Sequence, residues 1–298
     1  MQDHDMTAPR RGETPDQHQD LDPEAEQEAV RSHSDESHVT EASRLSARLI
    51  YEVIRRDGDE ELQRPVASLV WSGLAAGVLI SLSVLTQAVL KSRLPEADWA
   101  LLVEGLGYSV GFMVVIFGRM QLFTENTITT VLPVVADRSL TCLLKLLRLW
   151  AVVLCANIVG CVVASGFLTL PFVVQPDVME ALIAVSHHAV EGTATQNFVR
   201  AMPAGLIIAA LVWILPATRN GGSFFVVMVL TWLITAAGFA HVIAGSVEAG
   251  LLVWVGEMRF ADAALVYFLP VLAGNVAGGT AVFTLLVWGQ VRNEVEVE

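Results

Sequence analysis

The residue best suited to do chemistry is His241. It sits in Gly238-Phe239-Ala240-His241-Val242-Ile243-Ala244-Gly245-Ser246, within the apolar run 224–255. An imidazole titrates near neutral pH, so it can supply or share a proton. Placing one in hydrocarbon is costly, and flanking glycines let a helix open where it lines a cavity. The competing reading is a packing histidine with a satisfied hydrogen bond. A second interruption is Gly118-Arg119-Met120-Gln121-Leu122-Phe123-Thr124-Glu125-Asn126, which breaks an earlier apolar run. Arg119 and Glu125 are expected to pair with each other or with the loop backbone, because a lone charge there is costly. Six residues apart, they would lie about 120° off a common face on an unbroken helix, so pairing requires an open loop. Arg119 alternatively reaches the membrane interface by snorkelling.

Six apolar runs must position these residues: 66–90, 101–136, 146–170, 199–218, 223–256 and 264–289. Runs of 20 or more apolar residues can cross a bilayer core of about 30 Å. The second and fifth runs are too long for one simple helix and hold the two interruptions. Asn157-Ile158-Val159-Gly160 in the third run matches Asn275-Val276-Ala277-Gly278 in the sixth. Three spans per half make the second half inverted, and matched broken helices in inverted repeats point to a mid-membrane transport site. Gly73, Gly77, Gly160, Gly274, Gly278 and Gly279 also permit close helix approach.

The composition agrees with a polytopic membrane protein. The 298 residues are 54% hydrophobic and 16% charged, with a mean hydropathy of +0.56. The net charge of −13 is concentrated in residues 1–64, which carry 17 acidic and 8 basic side chains. Residues 1–43 are expected to be a disordered acidic cytoplasmic tail, without the apolar stretch of a cleaved signal peptide. Residues 44–64 are expected to form an amphipathic interfacial helix, with Leu45, Leu49, Ile50 and Val53 at helical spacing; packing on the protein is the alternative. The transport domain is 65–290, and 291–298 is a C-terminal tail. Ten Lys and Arg (Arg44, Arg48, Arg55, Arg56, Arg64, Arg138, Lys145, Arg148, Arg219, Arg292) face four (Lys91, Arg93, Arg200, Arg259), which places both termini in the cytoplasm. The loop 171–198, with solvated His187 and His188, is then external. Cys142, Cys155 and Cys161 read as small core residues rather than disulfide partners or metal ligands.

Three motifs resemble the formate/nitrite transporter family. Leu122-Phe123-Thr124-x-Asn126 resembles the loop of its broken second helix. Gly238-Phe239-x-His241-x-Ile243-Ala244 resembles its broken fifth, and Pro270-x-x-x-Gly274-Asn275-x-x-Gly278-Gly279 its sixth helix. The resemblance covers about 64–290, and Gln-Leu-Phe-Thr-Glu-Asn-Thr is closest to the YfdC-like branch of bacterial inner-membrane proteins. It implies an all-α, aquaporin-like protomer in a homopentamer with one pore per protomer. Small monovalent anions or their conjugate weak acids, such as formate or nitrite, would be the substrates. His241 would be the central histidine and Thr124 its loop partner, with Asn126 on the same loop. Phe112, Phe123 and Ile234 would form apolar constrictions, and Asn275 a polar lining group. The chain departs from the family pattern at Gln121, Glu125 and Ala240. It departs again at Thr193 and Ala209, where the family has a lysine and an asparagine, and at Arg119, where it prefers a small residue.

A bare anion in an apolar constriction faces a desolvation cost of several kcal/mol. Protonating a weak acid removes most of it, so the resemblance implies proton-linked passage past His241. A neutral-solute channel of aquaporin type would carry Asn-Pro-Ala at the breaks, and neither break has it. A non-transporting scaffold using the acidic tail is the alternative from another class. No ordered Ser/His/Asp set, metal cluster or nucleotide loop suggests an enzyme. No cofactor, metal or nucleic acid is expected; the partners are a small anion or acid, lipid and further copies of the chain.

Overall fold

The structure, a computed structural model, describes residues 45–218 and 221–295. The expected acidic tail of 1–43 and the end of the C-terminal tail lie outside the described residues. Every regular element described is helical. Five helices are long and apolar enough to cross a membrane: α2 (Val66–Lys91), α3 (Ala100–Phe117), α6 (Leu140–Leu168), α8 (Ala194–Ala217) and α11 (Phe260–Arg292). Capping side chains set two of their starts. Ser139 accepts from the Cys142 amide at the start of α6, and Thr193 and Gln196 form a reciprocal capping box on α8.

The run 223–256 is two helices, α9 (Gly222–Ala236) and α10 (Val242–Trp254), of 15 and 13 residues. Each extends only about 20 Å at about 1.5 Å per residue, short of a bilayer core. The run 101–136 divides likewise into α3, then α4 (Phe123–Thr129) and α5 (Val131–Asp137).

Glycines bring α2 against α6 and α8 against α11. A Cβ on Gly77 would lie 2.2 Å from the Asn157 carbonyl oxygen, and one on Gly205 2.1 Å from that of Asn275. These contacts seat the two asparagines. Apolar side chains on the outward faces, such as Val163 and Phe167 on α6, stay exposed as a lipid-facing helix requires. Cys142 and Cys161 are buried, but Cys155 is exposed, correcting its assignment to the core.

Two elements differ from expectation. The amphipathic helix α1 (Ala47–Gln63) does not rest on a membrane surface alone. Its Ile50, Tyr51 and Ile54 are buried against Ile128, Leu132, Ala209 and Val291, while Leu49 and Val53 stay exposed. The loop 171–198 contains helix α7 (Pro176–Val190). Pro176 opens its first turn, and Val178, Ala181, Leu182 and Val185 recur at helical spacing on one buried face. His187 pairs with Glu257, and Arg93 with Asp177 at 2.8 Å, tying α7 down.

Candidate functional site

The turns that end α3 and α9 are built alike. The Met120 amide donates to the Val115 carbonyl at 3.0 Å, and the Phe239 amide to the Ile234 carbonyl at 2.8 Å. Between them the chain passes through the left-handed region, at Arg119 (φ 50°) in one turn and Gly238 (φ 66°) in the other. This is the glycine-type helix stop in both places. The residue matching Gly238 is therefore Arg119, which occupies a backbone conformation that favours glycine.

Each turn then re-enters a helix under one asparagine. The Phe123 amide donates to Asn157 Oδ1 at 2.9 Å, and Asn157 Nδ2 donates to the carbonyls of Gln121 (2.9 Å) and Gly73 (2.8 Å). The Val242 amide donates to Asn275 Oδ1 at 2.8 Å, and Asn275 Nδ2 donates to the carbonyls of Ala240 (2.9 Å) and Ala201 (2.8 Å). Non-helical backbone at membrane depth needs such partners. Asn275, expected as a lining group, is wholly buried and engaged with backbone.

The two restarted helices meet through side chains. His241 is the N-cap of α10, its Nδ1 accepting from the Ala244 amide at 3.3 Å. Its Nε2 lies 2.8 Å from Thr124 Oγ1 on α4. Because Nδ1 accepts, the neutral ring carries its proton on Nε2 and donates it to Thr124. Phe112 on α3 meets the imidazole edge-on, with ring centroids 5.0 Å apart. His241, Thr124 and Phe112 thus come together. Ile234 is wholly buried in the last turn of α9. Phe123 turns its ring onto Trp150 of α6, centroids 5.5 Å apart.

A cavity of about 330 Å³ opens on the α1 side of this pair. Asp57 and Glu61 of α1, with Arg119, Gln121, Glu125 and Asn126, line it. Asn126 Nδ2 donates to Gln121 Oε1 at 3.0 Å and Gln121 Nε2 to Glu61 Oε2 at 2.8 Å, so α1 is hydrogen-bonded to the first break. The expected Arg119–Glu125 pair is not formed. Arg119 is exposed beyond the turn, while Glu125 turns inward with Oε1 buried and unpartnered among the described residues. Both line the cavity, but Arg119 sits exposed in the turn before the re-entering helix. Asp57 feels the Arg119 charge, but burial outweighs it and holds the Asp57 carboxyl above its ordinary range.

A family model described as Formate/nitrite transporter matches residues 48–289. The chain belongs to the formate/nitrite transporter family. It is a multi-pass membrane transport protein and not an enzyme. The inner membrane protein YfdC of Escherichia coli (strain K12) is 36% identical over 282 residues, 94% of this chain and 90% of that protein. The formate channel FocA of Haemophilus influenzae is 26% identical over 246 residues, 73% and 84% of the two chains. The solved structure of a pentameric formate channel with formate bound, at 20% identity, matches with a TM-score of 0.66 over 76% of this chain and 98% of that one. That likeness shows that the chain has the fold of this family.

On the α7 side of His241 lies a second, smaller cavity of about 30 Å³. Gln87, Tyr108, Arg200, Glu248 and Tyr267 line it together with the histidine. None of these five was singled out from the sequence as a site residue. Glu248 is 4% exposed inside an apolar helix, and an ionisable residue within a span marks a functional site by default. That signal was present in the run 223–256.

Proposed function

We propose that this protein is a channel or secondary transporter for small monovalent anions or their conjugate weak acids, formate and nitrite among them. Passage is proton-linked, the acid crossing in its neutral form past His241. The observation that carries this reading is the 2.8 Å contact between His241 Nε2 and Thr124 Oγ1, which joins the starts of α4 and α10 between two cavities. The formate-channel relatives support the substrate class.

In this reading α2, α3 with α4 and α5, and α6 form one half of an inverted 3+3 repeat. Helices α8, α9 with α10, and α11 form the other, with broken second and fifth spans. The matched turns and matched asparagine brackets support it. Residues 65–290 are the transport domain, 1–43 a disordered acidic tail, 44–64 the amphipathic segment and 291–298 a C-terminal tail. The protein lies in a bacterial inner membrane with both termini cytoplasmic, as its YfdC relative and its Lys/Arg asymmetry support. It assembles as a pentamer like the solved formate channel.

The chemistry follows from desolvation. An anion drawn into a cavity cannot pass the wholly buried Phe112 at low cost, whereas its neutral acid can. The His241 Nε2–H and the Thr124 hydroxyl offer the acid hydrogen-bond partners on its way between the cavities. The test is flux of formate, nitrite, acetate and lactate in proteoliposomes at two pH values. Flux should rise as external pH falls, and His241→Asn should assemble but lose most of that rise. Unchanged flux, selectivity and pH dependence in His241→Asn would return the histidine to a packing role.

A further inference from the structure

We propose that Arg200 and Glu248 form an anion subsite on the α7 side of His241, in which the Glu248 carboxyl protonates a bound small oxyanion before it reaches the imidazole. This rests on the weak-acid reading above and names the group that supplies the proton.

Glu248 lies seven residues beyond His241 on α10, so the two share one face of the helix and one cavity. It has no hydrogen bond or ion pair with another described residue. Arg200 reaches the same cavity from α8. Its Nε donates to the Gly238 carbonyl at 2.7 Å and its Nη1 to the Glu191 carbonyl at 2.8 Å. These bonds fix the guanidinium at the second break and leave Nη2 without a protein acceptor among the described residues. The cation and the carboxyl therefore face one cavity without forming an ion pair. About 30 Å³ holds about two waters, the scale of a three-heavy-atom acid such as formate.

A third group points to a ligand independently. Gln87 is 5% exposed, lines the cavity, and has its Oε1 without a hydrogen-bond partner. A buried acceptor left unmade is costly. The O–H of a protonated acid satisfies it, and an anion does not. The other titratable groups on the cavity wall are Tyr108, Tyr267, His188 and His241, so Glu248 is its one carboxyl. His241 is a poor source of the proton, because a proton on Nδ1 would displace the Ala244 amide that caps α10.

The step balances. Before transfer, the Arg200 cation faces the substrate anion and a neutral Glu248. The O–H bond of Glu248 breaks and an O–H bond forms on the substrate. Afterwards the same cation faces the Glu248 carboxylate beside a neutral acid. The charge in the cavity is unchanged, so no uncompensated charge is created at membrane depth. A hydronium ion from the α7 side reloads the carboxylate and leaves a water molecule, so each cycle takes in one proton with one anion.

The test uses the full-length protein in lipid and carbon-13-labelled formate. Infrared difference spectra should show formate removing a carboxylic-acid C=O band in the wild type. The band change should persist in His241→Asn, Glu125→Gln and Glu248→Asp, and be missing from Glu248→Gln. In flux assays Glu248→Gln should flatten the pH profile while Glu248→Asp retains a slope. Arg200→Gln should raise the half-saturating formate concentration roughly tenfold, the scale of one charge-assisted hydrogen bond. A wild-type pH profile in Glu248→Gln, with the formate-sensitive band retained, overturns the subsite and leaves the pore reading standing. If the wild type conducts no weak acid, the pore reading fails and the infrared response alone decides. A formate-sensitive Glu248 band then upholds the subsite, and its absence overturns it.

Discussion

Replacing Asn275 with alanine tests the claim that two asparagines hold the turns between α3 and α4 and between α9 and α10 in place. The side chain is wholly buried and makes three bonds to backbone, with the Val242 amide and the carbonyls of Ala240 and Ala201. Ala201 lies inside α8, where the helix supplies its carbonyl with a second donor. Val242 opens α10 and Ala240 sits in the turn, so neither has a helical partner to fall back on. Two backbone groups are then orphaned at about 1–3 kcal/mol each, giving a loss of about 2–6 kcal/mol. An ordinary interhelical hydrogen bond in a membrane is worth only about 0.6 kcal/mol, because the alternative state finds other partners. The measurement is a reversible unfolding titration in mixed micelles, comparing wild type, Asn275→Ala and Asn157→Ala. The two variants should lose comparable amounts, since Asn157 makes the same three kinds of bond. Losses under about 1 kcal/mol would refute the reasoning, because they are what ordinary, replaceable bonds would give.

Other variants probe the same architecture. Arg119→Gly should stabilise by about 1 kcal/mol, since φ 50° strains any residue with a Cβ, and Arg119→Ala should give no such gain; the same titration measures both. Gly205→Ala should destabilise by about 1–3 kcal/mol or more, because its Cβ would sit 2.1 Å from the Asn275 carbonyl oxygen and force α8 from α11. Glu52 on α1 is held down to about 2, from an ordinary 4.5, by hydrogen bonds from Arg55 and then Arg56, against its burial. A depressed carboxyl stabilises the folded state above its ordinary range and loses that contribution as pH falls from about 4.5 toward 2. Proteolysis of α1 should accelerate across that window in the wild type, and Glu52→Gln should remove the pH dependence.

Five of the six expected spans appear as helices of crossing length, because hydropathy and helix length are properties of the chain alone. The positions of the breaks were legible too, but their internal alignment was not. Gly118 and Gly238 look like partners on residue type, yet the bond from Met120 to Val115 places Arg119 opposite Gly238. Residue identity reports where a helix can stop, while hydrogen bonds decide which residue takes the left-handed turn. The Arg119–Glu125 pair was not legible for a related reason: both residues line one cavity, but whether their charged ends meet depends on the turn between them. Asn275 illustrates a further limit. Its motif marked it as a polar group at pore depth, but whether such a group faces a solute or backbone depends on the Ala240 and Ala201 carbonyls, which no spacing announces.

The cavity beyond His241 shows how a site can be read in its parts and missed as a whole. Arg200 entered only the charge count, because it lies at the edge of an apolar run. Its guanidinium instead reaches the Gly238 carbonyl in the turn between α9 and α10, 38 residues away in sequence. Glu248 was hidden inside a run recognised for its histidine, although seven residues on a helix put the acid on the same face. The family positions that hold an acid and a lysine are Ala240 and Thr193 here, so a motif-by-motif comparison finds neither charge. A cation on α8 and a carboxyl on α10 nevertheless line one cavity, because long side chains cover several ångströms. Which residues bring charge to the His241 cavity is settled by folding: Arg200 enters it from α8, which packs on α9, and Glu248 from α10, one face along from His241.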